Sequence, residues 1–387
     1  MAPETLLFSL IRTVICGQKL DSEISAACTE ENLEGVYKLA AEHDLAHLVG
    51  QAVSRPEFPE GETVKKCKQA AMGAFVRQMR QEQAFARVSK VFEEAGICFI
   101  PLKGQVLRSA YPEPWMRTSS DLDILVREAD LQRGTELLIR SLGYRYHKES
   151  SHDVALVSPE KVYLELHYST IEDFISRDAH RVMESVWEQA IPVAGTSCQL
   201  QMPDPLFYYY HMAHAAKHFV GGGCGIRAVL DTWILENRVP HSREERDALL
   251  EKGGMLTFAR GMEKLSRIWF RGEAPDPLSA AMETFILTGG NFGTLENRVS
   301  MNQTQKGGKW RYALSRIFLP YHTLKHQYPI LQKYKILFPF YQVIRWCKLL
   351  FRGGADRSIR ELQTHAAITP EQLTTAAQLL DYLNLRS

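Results

Sequence analysis

Two carboxylates alternate within an otherwise apolar stretch, residues 119–126 (SSDLDILV). Side chains of a β-strand repeat every second residue, so Asp121 and Asp123 share one face and the apolar residues beside them share the other. Burying two like charges side by side is costly unless a cation lies between them, and a divalent metal is the usual cation in proteins. The spacing therefore predicts that both aspartates are metal ligands.

A short apolar run precedes this stretch. Residues 97–102 (ICFIPL) predict a strand that stops at Lys103, Gly104 and Gln105, and residues 106–111 have a helical pattern. A glycine between a strand and a helix lets the backbone approach a phosphate closely, and a helix N-terminus favours the negative charge of that phosphate. We therefore expect Lys103, Gly104 and Gln105 to contact phosphate groups.

A third carboxylate follows downstream. Residues 162–168 (VYLELHY) alternate again, so that Tyr163, Glu165 and His167 share one face of a predicted strand. This strand can pair beside the strand of the two aspartates. Two aspartates, a third acid and a glycine turn together predict a metal and triphosphate site.

The arrangement resembles the polymerase-beta-type nucleotidyltransferase superfamily. Its pattern is an apolar residue followed by Gly and a small residue, a helix, an acid-x-acid strand, and a later acid on a neighbouring strand, here residues 102–105, Asp121, Asp123 and Glu165. The Leu-Lys-Gly start, Arg117 before the aspartates and the Glu-Leu-His sequence are similar to a large bacterial branch, the uncharacterised nucleotidyltransferases. That resemblance runs from about residue 5 to about residue 350.

The resemblance implies a reaction in which an acceptor attacks the α-phosphate of a nucleoside triphosphate and pyrophosphate leaves. Mg²⁺ or Mn²⁺ would be the cofactor, because carboxylate oxygens suit hard divalent cations. The implied roles are as follows. Asp121, Asp123 and Glu165 hold the metal, and Glu165 also lowers the pKa of the acceptor hydroxyl or takes its proton. Gln105 departs from the usual Ser or Gly, so Lys103 is the alternative source of phosphate charge.

The residues around these acids have less specific roles. Ser119 and Ser120 are expected to orient the metal ligands. Arg117 either steadies a phosphate or forms a structural salt bridge, for which Asp121 is a candidate partner. His167 is either a substrate contact or a structural strand residue.

A second cluster follows on a predicted helix, where His211, His214 and His218 have the spacing i, i+3, i+7 and so form one stripe. Three interpretations stay open. The histidines could bind zinc, although three on one helix need a fourth ligand. The helix could pack on the catalytic unit and lend His214, Lys217 or His218 to the nucleotide or the acceptor. It could also be a structural, aromatic-rich helix.

Residues 301–352, here called the basic tract, contain ten Lys and Arg residues and no Asp or Glu, whereas the whole chain has a net charge of +1. Aromatic residues are interleaved with these charges. The composition fits an anionic membrane surface, and it fits nucleic acid less well. The alternative is a basic helical face that packs by its aromatics on the rest of the protein.

Length and composition complete the prediction. The chain has 387 residues, 45% of them hydrophobic, which indicates a globular protein. Its seven cysteines are scattered without paired short spacing, which indicates the reducing cytoplasm. Association with the periphery of a membrane is a further expectation. We predict the α+β class, with a small mixed-sheet nucleotidyltransferase core between helical regions. The predicted segments are a helical region 1–95, the core 96–202, a helical domain 203–300 and a basic, aromatic-rich helical region 301–387.

Two other functions compete with nucleotidyl transfer. One is a catalytically inactive nucleotide-binding or partner-binding module, for which Gln105 is the main indication. The other is a peripheral membrane protein in surface-polysaccharide or natural-product assembly, in which the basic tract has the main role.

Overall fold

The computed structural model describes residues 1–55, 58, 60–150, 152–170, 177–291, 293–306, 311, 314, 317–328, 330–351, 364 and 367–386. Helices precede and follow a small mixed β-sheet, which confirms the predicted α+β class with a small mixed-sheet core and flanking helical regions. Three of the ten Lys and Arg residues of segment 301–352, namely Lys309, Arg316 and Arg352, lie outside the described residues.

The sheet has five strands in the order β1-β2-β5-β4-β3, and only β2 and β5 are parallel neighbours. In their register Asp123 lies opposite Glu165 and Asp121 lies opposite Tyr163. A separate two-stranded ribbon pairs β6 with β7. The strands are β1 Phe99–Pro101, β2 Asp121–Val126, β3 Arg145–Glu149, β4 Asp153–Val157, β5 Tyr163–His167, β6 Ile191–Pro192 and β7 Leu200–Gln201.

Nineteen α-helices lie within the described ranges. They are α1 Pro3–Ile15, α2 Ser22–Ala27, α3 Glu30–Glu42, α4 Ala46–Ala52, α5 Glu62–Ala95, α6 Gly104–Leu107, α7 Glu128–Leu142, α8 Arg177–Glu184, α9 Val186–Gln189, α10 Asp204–Val220, α11 Gly225–Arg238, α12 Arg243–Lys252, α13 Leu256–Arg271, α14 Pro277–Gly289, α15 Leu295–Gln305, α16 Tyr321–Gln327, α17 Ile330–Lys333, α18 Phe338–Phe351 and α19 Pro370–Tyr382. None of these helices combines the length and the apolar character that a membrane span needs.

The two faces of the sheet have different environments because the side chains alternate. Leu122, Ile124, Leu164 and Leu166 point to one face and form a buried cluster with residues of α5 and α7. Their strand neighbours Asp121, Asp123, Glu165 and His167 therefore point to the opposite face. The alternation seen in the sequence thus separates a structural face from a polar face.

A second, larger apolar core joins helices that are distant in sequence. It contains buried residues of α1, α3 and α4 together with buried residues of α10, α11, α13 and α14. Helices of the segments 1–95 and 203–300 therefore share one core. The sheet lies between them in sequence and packs its apolar face on a different cluster.

Two buried, neutral histidines form hydrogen bonds between the N-terminal helices and the rest of the chain. His43 Nδ1 accepts a hydrogen bond from the Ile226 amide at 3.2 Å, and its Nε2 lies 3.2 Å from the Leu287 carbonyl. His47 Nε2 donates to the Met116 carbonyl at 2.8 Å. Burial lowers the pKa of His43 and lowers the pKa of His47 to about 4.

We expect acid to destabilise the fold through His47. Its pKa is about 4 in the folded chain and about 6.5 in an unfolded chain. The unfolded chain therefore binds the proton more tightly, so stability is complete above about pH 6.5 and is lost as the pH falls toward 4. The loss is about 3 kcal/mol from this group.

Urea unfolding at a series of pH values measures this loss. In His47→Gln the side-chain amide still donates to the Met116 carbonyl but does not titrate, so the acid limb should become shallower. Replacement of the exposed His147 by Gln is the matched control and should leave the limb as in the wild type. An unchanged limb in His47→Gln would contradict the prediction.

Candidate functional site

Asp123 is the centre of the polar face of the sheet, and only 3% of it is exposed. Its Oδ1 accepts hydrogen bonds from Lys103 Nζ at 2.7 Å and from His167 Nε2 at 2.8 Å. Burial alone would raise the pKa of Asp123, but Lys103 and His167 outweigh it and hold this pKa below its usual value. Burial lowers the pKa of His167, so the ring is neutral.

The other two acids on this face have the opposite electrostatics. Burial and the neighbouring Asp123 raise the pKa of Asp121. Burial and the carboxylates of Asp123 and Asp121 raise the pKa of Glu165 to about 7. Three acids therefore crowd one face with Lys103 as their principal cation, and this excess of negative charge favours a further cation.

The donor atoms of this face fit a divalent metal ion. Ligand atoms of Asp123, Glu165 and His167 lie within 4.8 Å of one another. Both hydrogen bonds that the structure gives to Asp123 end on Oδ1, which leaves Oδ2 for a cation. Carboxylate oxygens are the ligands that Mg²⁺ and Mn²⁺ prefer. Asp121 belongs to the same face but is outside the 4.8 Å group.

Lys103 has a backbone conformation that normally requires glycine. Its φ is 46° and its ψ is −121°, whereas the adjacent Gly104 is already the first residue of α6. The positive φ therefore lies at the lysine, one residue before the glycine. Gly104 is needed for a different reason, because an added Cβ would lie 3.3 Å from the Arg117 guanidinium and 3.3 Å from Ser119 Cβ.

We expect Lys103→Gly to be more stable than Lys103→Ala by about 1 kcal/mol, because glycine relieves a strain that alanine retains. Both variants lose the ammonium, so their difference reports the backbone alone. Chemical denaturation measures it. Glu113 is exposed and has a φ of −134°, so Glu113→Gly should be no more stable than Glu113→Ala. Equal stabilities of the two Lys103 variants would contradict the prediction.

One cavity, with a volume of about 290 Å³, lies against this face. Its lining includes every residue predicted above to contact the metal, the nucleotide or the acceptor except Gln105, whose side chain is not part of the lining. Gln105 Oε1 is instead buried and lacks a hydrogen-bond partner among the described residues. The predicted residues in the lining are Lys103, Gly104, Arg117, Ser119, Ser120, Asp121, Asp123, Glu165, His167, His214, Lys217 and His218.

Comparison with known proteins identifies the family. A family model described as "Uncharacterised nucleotidyltransferase" matches residues 29–271, more than half of the chain. The chain belongs to this nucleotidyltransferase family. No curated protein matches it. A solved structure similar to part of it is that of the antibiotic-resistance factor ANT(2'')-Ia, at 10% identity over 54% of this chain and 97% of that chain, with a TM-score of 0.28.

In this member of the family Arg117 forms a salt bridge, but Asp121 is not its partner. Its Nε contacts both carboxylate oxygens of Asp231, at 2.7 and 3.0 Å, and the Tyr111 hydroxyl donates to Asp231 Oδ1 at 2.6 Å. All three residues are buried. Asp231 lies on α11, so this fork fixes the segment before β2 against the helical core. No pattern in the sequence indicated this role for Asp231.

A second link joins the same segment to α11. Arg227 NH1 donates to Asp44 Oδ2 at 2.8 Å, and the Thr118 hydroxyl donates to the same oxygen at 3.0 Å. Arg227 NH2 also lies 3.4 Å from Asn291 Oδ1. Arg227 and Asn291 line the cavity. The sequence offered no signal for this contact, because its partners are far apart along the chain.

Helix α5 positions the backbone that carries the aspartates. The buried Gln81 donates from Nε2 to the Ser119 carbonyl at 3.1 Å and accepts at Oε1 from Arg108 NH2 at 3.1 Å. Ser119 Oγ donates to the Asp121 carbonyl at 2.8 Å. Ser120 is exposed, and its side chain hydrogen-bonds the Asp121 carboxylate. The two serines thus contact Asp121 by its backbone and by its side chain.

The three histidines of α10 do not form one cluster. His211 Nε2 lies 3.2 Å from the Ala228 carbonyl and from the Thr232 hydroxyl, which ties α10 to α11. The Nε2 atoms of His214 and His218 are 3.2 Å apart. Within the described parts of the chain, the groups with metal-ligand spacing are on the sheet and not on α10. The α10 histidines therefore form part of the cavity wall.

Proposed function

We propose that the protein transfers a nucleoside monophosphate from a nucleoside triphosphate to an acceptor, with release of pyrophosphate. The observation that carries the proposal is the position of Asp121, Asp123 and Glu165 on one face of two parallel strands, against a cavity of about 290 Å³. Membership of a nucleotidyltransferase family supports the reaction class.

Asp121, Asp123 and Glu165 would hold Mg²⁺ or Mn²⁺. Support comes from their oxygen donors, from the unused Oδ2 of Asp123, and from the raised pKa values of Asp121 and Glu165. A bound divalent metal would stabilise the charge that develops on the phosphate and on the leaving oxygen.

Glu165 is the proposed proton acceptor. The acceptor hydroxyl oxygen forms a bond to the α-phosphorus, the bond from that phosphorus to the bridging oxygen of pyrophosphate breaks, and the hydroxyl proton goes to Glu165. In the metal-free site, burial and the carboxylates of Asp123 and Asp121 raise the pKa of Glu165 to about 7, so this carboxyl group exchanges a proton near neutral pH. Its position opposite Asp123 keeps it beside the metal ligands.

Lys103 is the proposed phosphate contact. Its ammonium is 2.7 Å from Asp123 Oδ1, and a cation on Asp123 would weaken that pairing, so the ammonium could turn to the triphosphate. Gly104, Arg117, Ser119 and Ser120 line the same cavity and would contact the phosphates with it. His167, His214, Lys217 and His218 also line the cavity and would contact the nucleotide or the acceptor. Gln105 is a weaker candidate because it is not in the lining.

We further propose that the protein binds a nucleoside triphosphate and an acceptor, and that the basic tract binds an anionic membrane surface. The charge of the basic tract, with ten basic residues and no acidic one, supports the last of these.

Labelled nucleoside triphosphates, incubated with the full chain, cell extract and Mg²⁺ or Mn²⁺, test the proposed reaction. We expect metal-dependent transfer of label to an extract component, with release of pyrophosphate. Calorimetry with ATP and each metal tests the competing function of an inactive binding module. Metal-dependent ATP binding without transfer in any extract would reject the proposal and favour that module.

A further inference from the structure

Helix α18, Phe338–Phe351, and the short 3-10 turn Lys335–Leu337 before it carry apolar side chains that point to solvent. Ile336 is 89% exposed, Phe340 62% and Val343 48%, and Cys347 is exposed as well. At about 100° per residue, positions 340, 343 and 347 fall within roughly 60° of one another on the helix. We call these four residues the outer stripe.

A neighbouring side of α18 is the side that packs. Gln342 is only 5% exposed, and its amide donates to the Leu319 carbonyl. Trp346 Nε1 donates to the Ile317 carbonyl at 2.8 Å, and its ring meets the Phe318 ring edge-on at 5.3 Å. A helix on the surface of a globular protein normally buries its apolar side. Here a glutamine is buried while large apolar side chains are exposed.

Exposed apolar residues are concentrated in this part of the molecule. Of the eighteen large apolar side chains that are exposed among the described residues, eight lie between positions 314 and 343. Three of the eight, Ile336, Phe340 and Val343, belong to the outer stripe, and a large exposed apolar patch marks a surface that binds a partner or a membrane. The eight residues are Leu314, Ile317, Phe318, Ile330, Tyr334, Ile336, Phe340 and Val343.

Charge selects the partner of this patch. Lys333, Lys335 and Lys348 are exposed beside the outer stripe, and no acidic residue occurs from 301 to 352. An apolar stripe flanked by cations alone complements anionic lipid headgroups above acyl chains. A second exposed apolar stripe, on α5, has Lys68, Arg77 and Arg80 beside it, but α5 also contains acidic residues, the nearest of which is Glu82. It consists of Met72, Phe75, Val76 and Met79.

We infer that α18 lies in the plane of an anionic lipid bilayer, with the outer stripe at the boundary of headgroups and acyl chains and the lysines at lipid phosphates. The inference does not depend on the proposed nucleotidyl transfer. It also agrees with the length of α18, which has 14 residues, whereas a span needs about 20. The helix therefore lies on the membrane and does not cross it.

Vesicle flotation with the full chain tests this inference. We expect binding to vesicles of phosphatidylcholine mixed with phosphatidylglycerol, no binding to phosphatidylcholine alone, and weaker binding at high salt. Phe340→Asp should lower the partition coefficient at least about tenfold, because it removes buried apolar area and adds an anion. Lys335→Gln should lower it about fivefold.

Two matched variants separate a local effect from a general one. Ile139→Asp replaces an exposed apolar residue of α7, and Lys252→Gln removes an exposed cation of α12. Both should bind anionic vesicles as the wild type does.

Three results would overturn the inference. The first is absence of binding to anionic vesicles, and the second is equal loss of binding in the control variants. The third is a dimer that light scattering detects in the wild type but not in Phe340→Asp, together with no vesicle binding, which would make the outer stripe an interface between two copies. Pyrophosphate release is measured in separate samples, so failure of the proposed reaction leaves this test intact.

Discussion

Asp123→Asn is expected to abolish metal-dependent release of pyrophosphate while the protein stays folded. The asparagine oxygen can still accept from Lys103 Nζ and His167 Nε2, which now lie 2.7 and 2.8 Å from Asp123 Oδ1. The side chain loses the negative charge that would hold Mg²⁺ or Mn²⁺. Because a bound metal contributes several kcal/mol to the stabilisation of the transition state, the rate should fall at least about 1,000-fold.

The assay is pyrophosphate release at saturating nucleoside triphosphate and Mg²⁺, with circular dichroism and thermal unfolding of each variant. Asp121→Asn should have a comparable effect, because Asp121 shares the face of Asp123. Glu149→Gln is the matched control, since Glu149 is an exposed acid on the edge strand β3 of the same sheet. Full activity in either aspartate variant would reject the proposed metal site.

The sequence predicts the acid face of the sheet because the signal is local. Alternation assigns Asp121 and Asp123 to one face of β2 and Glu165 to one face of β5, and the parallel register brings Asp123 opposite Glu165. The same reasoning misses β3, Arg145–Glu149, where all five residues are exposed. A strand at the edge of a sheet with two solvated faces has no apolar period to detect.

The other wall of the cavity cannot be predicted in this way. Arg227 meets Asp44 across 183 positions of sequence, and Asp231 meets Arg117 across 114. Charged residues on helices usually indicate solvated faces, so their burial follows only from tertiary packing. Lys103 illustrates the same limit, because its positive φ and its pairing with Asp123 depend on where β1 ends relative to β2.

The buried fork of Arg117, Asp231 and Tyr111 leads to the largest expected effect on stability. We expect Asp231→Ala to lower the free energy of unfolding by about 3 to 5 kcal/mol, because it leaves the Arg117 guanidinium buried without its carboxylate. The Tyr111 hydroxyl also loses its acceptor, which is 2.6 Å away in the wild type. Urea unfolding monitored by tryptophan fluorescence measures the loss.

A double variant distinguishes loss of the charge partner from loss of packing. In Arg117→Met with Asp231→Leu both charges are replaced by apolar groups, so most of the stability should return, since a buried ion pair costs desolvation that apolar side chains avoid. Glu160→Ala removes the partner of Arg87 in an exposed ion pair and should cost less than about 1 kcal/mol. If Asp231→Ala costs no more than Glu160→Ala, the fork does not anchor the segment before β2. If the double variant is as unstable as Asp231→Ala, packing and not charge determines the loss of stability. The segment before β2 would then be anchored by its packing against α11 more than by the carboxylate of Asp231.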